Sequence, residues 1–539
     1  MWLCAHCSLR PSRTFAAYLG VLSILALLPA CRGSSAAAVD APRRIVLVVI
    51  DTLRADHVGA YGGRAATPNI DAFAQEGVVF RRAYSHAPVT GPSHVSMFTG
   101  LLPVDHMVQA NTQIVAEEVE TLAESLRDLG FSTAAFISLG VMTSQWGFAQ
   151  GFDTYDEEFA GQWFRSGAEV RQRAIDWVTS SGDASAFLWV HFSDPHEPYS
   201  PPDQEYPRVE VVLDGRVVGT VEANGYSWDL PVRIAPGEHV LVFRAATGET
   251  ESEVVFRSIH ETGGNARLTL GPGWAEDEGS APIWWNASTL PSVVRIENPL
   301  QRDLQTNLRF FCHEQLGPEE IRQRYRQEVE YVDDQFGRLM EGLRAQGWWN
   351  DSLIILTSDH GEGLGDHGLV GHIEQLYETL VHVPLIVASP GRIEPAVVDS
   401  VVRHVDLAAT IFDYLGRGDR YGRGRSLRPL IEKEVESRRR PAVSLTYRPT
   451  ASTDRQSLVL GSLKLIHSPL ARELELYDLS ADPGESRNLA SLDARRLEML
   501  RARLERLLEP VAKDGPRAAR AATIDEEEER QLRALGYVR

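Results

Sequence analysis

The apolar run IVLVVI, residues 45–50, stops abruptly at Asp51. A continuous Val/Ile run ended by a polar residue predicts a strand buried on both faces, as in parallel sheets. Residues 115–129 change period: Val119, Leu122, Leu126 and Leu129 follow helical spacing and predict a helix. A strand is expected at 132–137, a helix at 168–179 and a strand at 187–192, the last running into SDPHEPY. Strands alternating with helices predict an α/β sheet with helices on both faces. From about residue 204 to 312 the helical period vanishes. VEVVLDGRVVGTV sets Asp214-Gly215 between two alternating arms, a hairpin signal, and PVRIAPGEHVLVFRA repeats the design around Pro236-Gly237. With the β runs at 253–256, 267–270 and 293–297, these predict an inserted β-sandwich. The α/β pattern resumes at 318, where Ile321, Tyr325, Val332, Leu339 and Leu343 share one face of a long helix. Strands at 353–357, entering SDHGEG, and at 384–388 follow. VSLTY, SLVLG, SLKLIH and ELELYDL then predict a small antiparallel unit.

Composition narrows the class. The chain has 539 residues, 43% hydrophobic and 24% charged, so several structural units of ordinary globular character are expected. A formal charge of −20 without a Lys/Arg cluster excludes general nucleic-acid binding. Arg10 and Arg13 precede an apolar stretch, Phe15 to Leu28, and then LPAC ending at Cys31. That is the layout of a secretory signal, and its end resembles a bacterial lipobox with Cys31 as the lipidation site. Plain signal cleavage and an uncleaved anchor are the alternatives. The expected location is the bacterial cell envelope, with a membrane contact through the lipid. Only Cys312 would remain in the mature chain, so no intrachain disulfide is expected. The organisation read from these signals is a signal segment at 1–31, a tether at 32–42, an α/β domain at 43–203 and 313–430, the β insertion at 204–312, a C-terminal subdomain at 431–512 and a charged tail at 513–539.

Three strand ends carry acids or histidines: Asp51, then Asp194 with His196, then Asp359 with His360. Open α/β sheets build sites at the carboxyl ends of their strands, so these groups can converge. Carboxylate ligands suit Mg, Ca or Mn, and imidazole suits Zn. Near them, residues 90–100 read TGPSHVSMFTG. Pro92 suits the first turn of a helix and Gly100 its C-terminal cap, which sets Thr90 near a helix N-terminus where an anion is favoured.

This segment resembles the signature of the sulfatase family, in which C-x-P-S-R opens a helix closing on T-G. IDTLRADHVGAYG, TPNIDAFAQEGVVF, DPHEPY, SDHGEGLGDHG, GHIEQLYETLVHVPLIV and ELYDLSADPGESRNLA match further family phrases in order. The resemblance implies an alkaline-phosphatase/sulfatase-like α/β fold, a mixed sheet sandwiched by helices. It also implies a hydrolase of sulfate or phosphate esters, with a small or glycan-linked anionic ester as substrate. It implies one divalent metal ion (Ca, Mg, Mn or Zn) held by Asp51, Asp359 and His360. Family members often carry a second Asp beside the first, where this chain has Thr52.

Thr90 stands where the family's Cys or Ser is oxidised to formylglycine, and threonine cannot follow, so no formylglycine is expected. The implied nucleophile is the Thr90 hydroxyl, acting through a covalent ester; its rival role is a plain helix cap. His94 replaces the signature Arg and is read as a substrate contact or an exposed helix residue. His196 matches a histidine that contacts ester oxygens or protonates the leaving group. His372 matches a basic substrate contact, and His367 is a further one. Asp194 is a candidate for a second metal, with a single metal preferred. Phosphoester chemistry is favoured, because a formylglycine hydrate expels sulfate by collapsing to the aldehyde and a threonine ester has no such exit. Two readings stay open: a sulfuric ester hydrolase independent of formylglycine, and a surface lipoprotein that binds without turnover. The insertion, with Trp284 and Trp285, is a candidate surface for a glycan or protein partner.

Overall fold

The computed structural model describes residues 41–510 and 520–521, except 161, 203, 247–253, 263–264, 272–274, 277–282, 285–291, 435–438 and 448–453. The expected export signal with Cys31, Trp285, the side chain of Trp284 and most of the tail lie outside the described residues. The central element is a nine-stranded mixed sheet. Its middle strand, Arg44–Ile50, pairs in parallel with Ser352–Thr357 on one side and Ala186–Phe192 on the other. Beyond these lie Ser132–Phe136 and Thr154–Asp156, also parallel. On the opposite flank Leu385–Ala388 pairs antiparallel with Ser352–Thr357 and with Val78–Tyr84, which in turn pairs in parallel with Ala396–Arg403.

The middle strand shows why the apolar run is unbroken. Ile45, Leu47 and Val49 enter one buried cluster, while Val46, Val48 and Ile50 enter another on the opposite face. One face is covered by helices that include Thr90–Thr99 and Leu122–Asp128, the other by Gly167–Ser181 and Pro318–Ala345. The middle strand is therefore dry on both sides, and the carboxylate of Asp51 follows directly at its end.

Two expectations need correction. The helix expected over 115–129 is confined to Leu122–Asp128. Thr121 stops it short: its hydroxyl accepts from the Glu124 N–H at 3.2 Å while Glu124 Oε2 accepts from the Thr121 N–H at 2.9 Å. This capping box fixes where helix begins, whatever the apolar spacing upstream. The second correction concerns Pro236-Gly237, which is not a hairpin. Strand Asn224–Ile234 pairs with Leu304–Glu314, whereas Gly237–Ala245 pairs with Arg208–Leu213 and Ser292–Asn298. The turn carries the chain from a three-stranded sheet to a five-stranded one. Residues of both sheets, among them Leu241 and Phe243 on one and Ile234 and Phe310 on the other, share a single core. Alternation reports the buried face of a strand and not its partner, so a corner between sheets reads like a hairpin.

A four-stranded antiparallel sheet, from Ala442–Thr446 to Glu473–Asp478, and helix Ala494–Leu507 complete the described chain. This sheet is tied to the central one by a buried lysine. Lys464 Nζ lies 2.9 Å from Glu378 Oε1 and 2.8 Å from Glu485 Oε1, and Glu378 accepts from the Tyr84 hydroxyl at 3.0 Å. Burial opposes charge on Lys464, but the two glutamates prevail and raise its pKa. Lys464→Met would leave both carboxylates without their cation. The expected loss is about 3–5 kcal/mol of unfolding free energy, read from urea denaturation.

Candidate active site

Asp51 follows the middle strand directly, and Asp359 and His360 follow its neighbour. The register pairs Val49 with Thr357 and with His191, so the three strand ends are level. Asp51, Asp359 and His360 are each 0% exposed, and one ligand atom from each lies within 4.8 Å of the others. His360 Nδ1–H donates to the Gly361 carbonyl at 2.9 Å, which leaves Nε2 as the lone-pair nitrogen. Asp51 Oδ1 and Asp359 Oδ2 are buried without a hydrogen-bond partner. Burial and the neighbouring Asp51 push the Asp359 carboxyl well above the usual range. Two orphaned carboxylate oxygens beside a bare imidazole nitrogen are a donor set that fits a divalent cation.

Helix Thr90–Thr99 brings its first residue to this cluster. Thr90 Oγ1 lies 3.5 Å from both Asp51 Oδ2 and His360 Nε2. Thr90 occupies the first helical position, and the cap is Val89, so the capping role does not apply. The helix end offers an anion its dipole more than free amides. The Gly91 N–H donates to Asn111 Oδ1, Pro92 has none, and the Ser93 N–H bonds the Val89 carbonyl. Ser93 Oγ donates to the Asp359 carbonyl at 2.7 Å, which turns it away from the nucleophile's position.

The remaining histidines divide into three groups. His94 is fully buried, not exposed: its Nδ1–H donates to the Thr90 carbonyl at 2.9 Å, and its ring packs among Phe98, Trp189 and His191. It supports the turn that carries Thr90. His372 and His196 form a row with His360, with ring separations of 4.5 Å and 5.0 Å. His367 is exposed, and its ring stacks 3.8 Å from Tyr377; the structure does not bring it into the row. Asp194 is also apart from the cluster, its Oδ1 accepting from the Gly167 N–H at 2.8 Å.

Two residues went unread in the sequence. His191 Nε2 lies 3.6 Å from Asp51 Oδ2, and with His196 and His360 it holds Asp51 below the usual carboxylate range against the effect of burial. It sits inside the strand AFLWVHF, where its only signal is being the one imidazole in an apolar run. Glu362, 0% exposed, lies 3.3 Å from His372 Nδ1. Burial alone would lower His372, but Glu362 raises it, and burial's upward pull on Glu362 is outweighed in turn by His372. Glu362→Gln removes the main group that favours the imidazolium. The His372 ring is then expected to titrate at lower pH in an NMR pH series than in the wild type.

The loop after Asp51 is strained and clamped. Thr52 has φ 57°, unusual for a β-branched residue, and its N–H donates to Asp359 Oδ1 at 3.2 Å. Tyr325 OH donates to the Thr52 carbonyl at 2.7 Å and accepts from the Arg54 N–H at 2.9 Å. Arg54 bridges Asp56 at 2.7 Å and Asp366 at 2.6 Å, locking together the loops that follow Asp51 and His360. Thr52, where the family resemblance implied a second Asp, thus serves as a backbone donor to Asp359.

A family model described as Sulfatase matches residues 43–417, and one described as N-sulphoglucosamine sulphohydrolase, C-terminal, matches residues 365–514. The multifunctional alkaline phosphatase superfamily protein PehA of Trinickia caryophylli is 28% identical, over 83% of this chain and 91% of its own length. An N-acetylglucosamine-6-O-sulfatase of Bacteroides thetaiotaomicron is 24% identical, over 83% of this chain and 82% of its own. Among solved structures, a phosphonate monoester hydrolase of Agrobacterium radiobacter aligns at TM-score 0.57 and 21% identity, covering 89% of this chain and 100% of its own.

Proposed function

The chain belongs to the sulfatase family and is an ester hydrolase, and from that premise we propose that it cleaves a phosphate or phosphonate ester with Thr90 as nucleophile. The observation that carries this reading is the Thr90 hydroxyl, 3.5 Å from Asp51 Oδ2 and from His360 Nε2, beside the orphaned carboxylate oxygens. Asp51, Asp359 and His360 would hold a divalent cation, which when bound supplies Lewis-acid polarisation of the ester and a lowered hydroxyl pKa.

The chain's own residues divide the rest of the work. Thr90 Oγ1 gives its proton to solvent water and bonds to the central atom of the ester, and the bond to the leaving oxygen breaks. His372, kept charged by Glu362, faces the ester's anionic oxygens. His196, next in the row, gives a proton to the departing alkoxide. Water then attacks the same central atom, giving one proton to His196, and the bond to Thr90 Oγ1 breaks, the oxygen taking a proton back from solvent to restore the hydroxyl. Phosphorus suits this cycle better than sulfur. Thr90 has no second hydroxyl on its reacting carbon, so the intermediate leaves only by attack at the central atom.

A sulfate ester is the second reading, favoured by the match of residues 365–514 to a sulphohydrolase C-terminal model. Aryl phosphate monoesters, diesters, phosphonates and sulfates, assayed with Ca, Mg, Mn and Zn, separate the two. The phosphorus reading expects the phosphorus esters to turn over fastest and all turnover to need Thr90. Export and a lipid anchor at Cys31, read from LPAC, belong to the same proposal.

A further inference from the structure

A small chamber of about 50 Å³ opens beside the proposed reacting centre, with His196 in its lining. That is room for a group a few atoms across, since one water needs roughly 10–15 Å³ on this measure. Its lining combines two carboxylates, Asp194 and Glu328, with three aromatic rings, Phe164, Tyr226 and Tyr331. Asp194 Oδ2 is buried and accepts no hydrogen bond, and Glu328 is 3% exposed with one oxygen accepting from the Ser200 N–H at 2.7 Å. Two arginines face these groups, Arg165 in the chamber lining and Arg324 with its charge acting on Glu328, and both are already committed. Arg165 donates to the Ile137 carbonyl and pairs with Asp156, and Arg324 pairs with Glu314. Burial pushes the Asp194 carboxyl up to about 6, and burial with the charge of Asp194 pushes Glu328 well above the usual range. Burial thus opposes charge on this pair, and a cation bound in the chamber, where one carboxylate oxygen is still to be satisfied, would offset that opposition.

The β insertion contributes to this wall. Tyr226 lies on strand Asn224–Ile234, and Gly225 before it meets the loop that carries His196. Gly225 has φ 78°, and a Cβ there would lie 2.1 Å from Pro198 Cγ, so only glycine allows the approach. Gln162 ties the same segment down, its side chain exchanging hydrogen bonds with the Ser227 backbone at 3.0 Å and 3.1 Å.

We propose that this chamber is a specificity subsite for an ammonium group on the alcohol portion of the ester. Asp194 and Glu328 supply the countercharge, and Phe164, Tyr226 and Tyr331 supply aromatic contacts. The β insertion contributes the Tyr226 wall and so takes part in substrate choice. The inference rests on the reading of His196 as a group at the leaving oxygen, since that residue joins the chamber to the reaction.

Calorimetric titration of the full chain tests it without turnover. Ethanolammonium should bind at least about tenfold more tightly than the neutral isostere 1-propanol. Asp194→Asn should lose about that factor, and Tyr226→Leu, on the insertion, provides a second variant should the first not fold by circular dichroism. Equal binding of the two probes, or undiminished binding of ethanolammonium by the folded variants, would overturn the proposal. Thr90→Ala protein should bind ethanolammonium like the wild type. If Thr90→Ala still turns over aryl esters, the nucleophile reading falls while the titration decides the subsite on its own.

Discussion

Thr90→Ala is expected to lower kcat/KM for the best phosphorus ester by at least about 10³-fold, with little change in the thermal unfolding midpoint. The size follows from the role: a residue that forms a covalent intermediate acts as a unit with its neighbours, and its removal forfeits most of the rate enhancement. The small stability effect follows from the structure. Thr90 is not the helix cap, and its hydroxyl makes only long contacts, 3.5 Å each, so alanine breaks no strong bond. Thr90→Ser keeps the hydroxyl and should retain activity within about tenfold, because it loses only the methyl group. A merely structural Thr90 would produce the opposite pattern, with stability lost and residual activity kept.

The second large effect concerns the two buried carboxylates. Without a cation, Asp51 and Asp359 face one another, and the Asp359 carboxyl lies well above its ordinary 3.8 through burial and the charge of Asp51. The folded state then holds that proton more tightly than the unfolded chain. Its contribution is fully present below the unfolded value and is lost as pH rises through the folded one, so chelated protein should weaken over that window. Asp359→Asn removes the like charge at constant shape. The chelated variant is expected to be more stable than chelated wild type at neutral pH, by on the order of 1–3 kcal/mol. Added divalent metal should reverse the order. It stabilises the wild type by about 4.1 kcal/mol at a thousandfold excess over Kd and should leave the variant nearly unmoved. Activity of the variant should fall by more than about 100-fold, since even an outer partner of a metal ligand costs 10- to 100-fold. Thermal melts of both proteins with chelator and with metal give the comparison directly.

How much of this was legible beforehand varies with the physics of each signal. The middle strand was clear because burial on both faces leaves an unbroken apolar run, and Asp51 was clear because it ends that run. Asp359, His360, His196 and His372 were read from family phrases; the structure clusters the first two with Asp51 and sets His372 and His196 in a row leading from His360. Capping was present in the sequence as T-L-A-E at 121–124 but was overridden by apolar spacing, which extended the helix too far upstream. The crossing at Pro236-Gly237 was not legible at all, because pairing partners are set by contacts distant in sequence. His191 was hidden by its own strand, and its role depends on the register that sets it level with Val49. Glu362 lay inside a recognised phrase, yet its importance comes from sharing a buried space with His372, which is ten residues away. Tyr226 and Asp194 line one chamber only because the insertion packs against the loop that carries His196.

The central claim is that an ester group becomes bonded to Thr90. Quenching the enzyme in acid during turnover of an aryl phosphonate, followed by peptide mapping in a mass spectrometer, tests that directly. The account predicts the phosphonyl group on the peptide containing residues 90–100, localised to Thr90 and absent from Thr90→Ala. Sustained turnover with no adduct on Thr90, or an adduct on Ser93 instead, would contradict it.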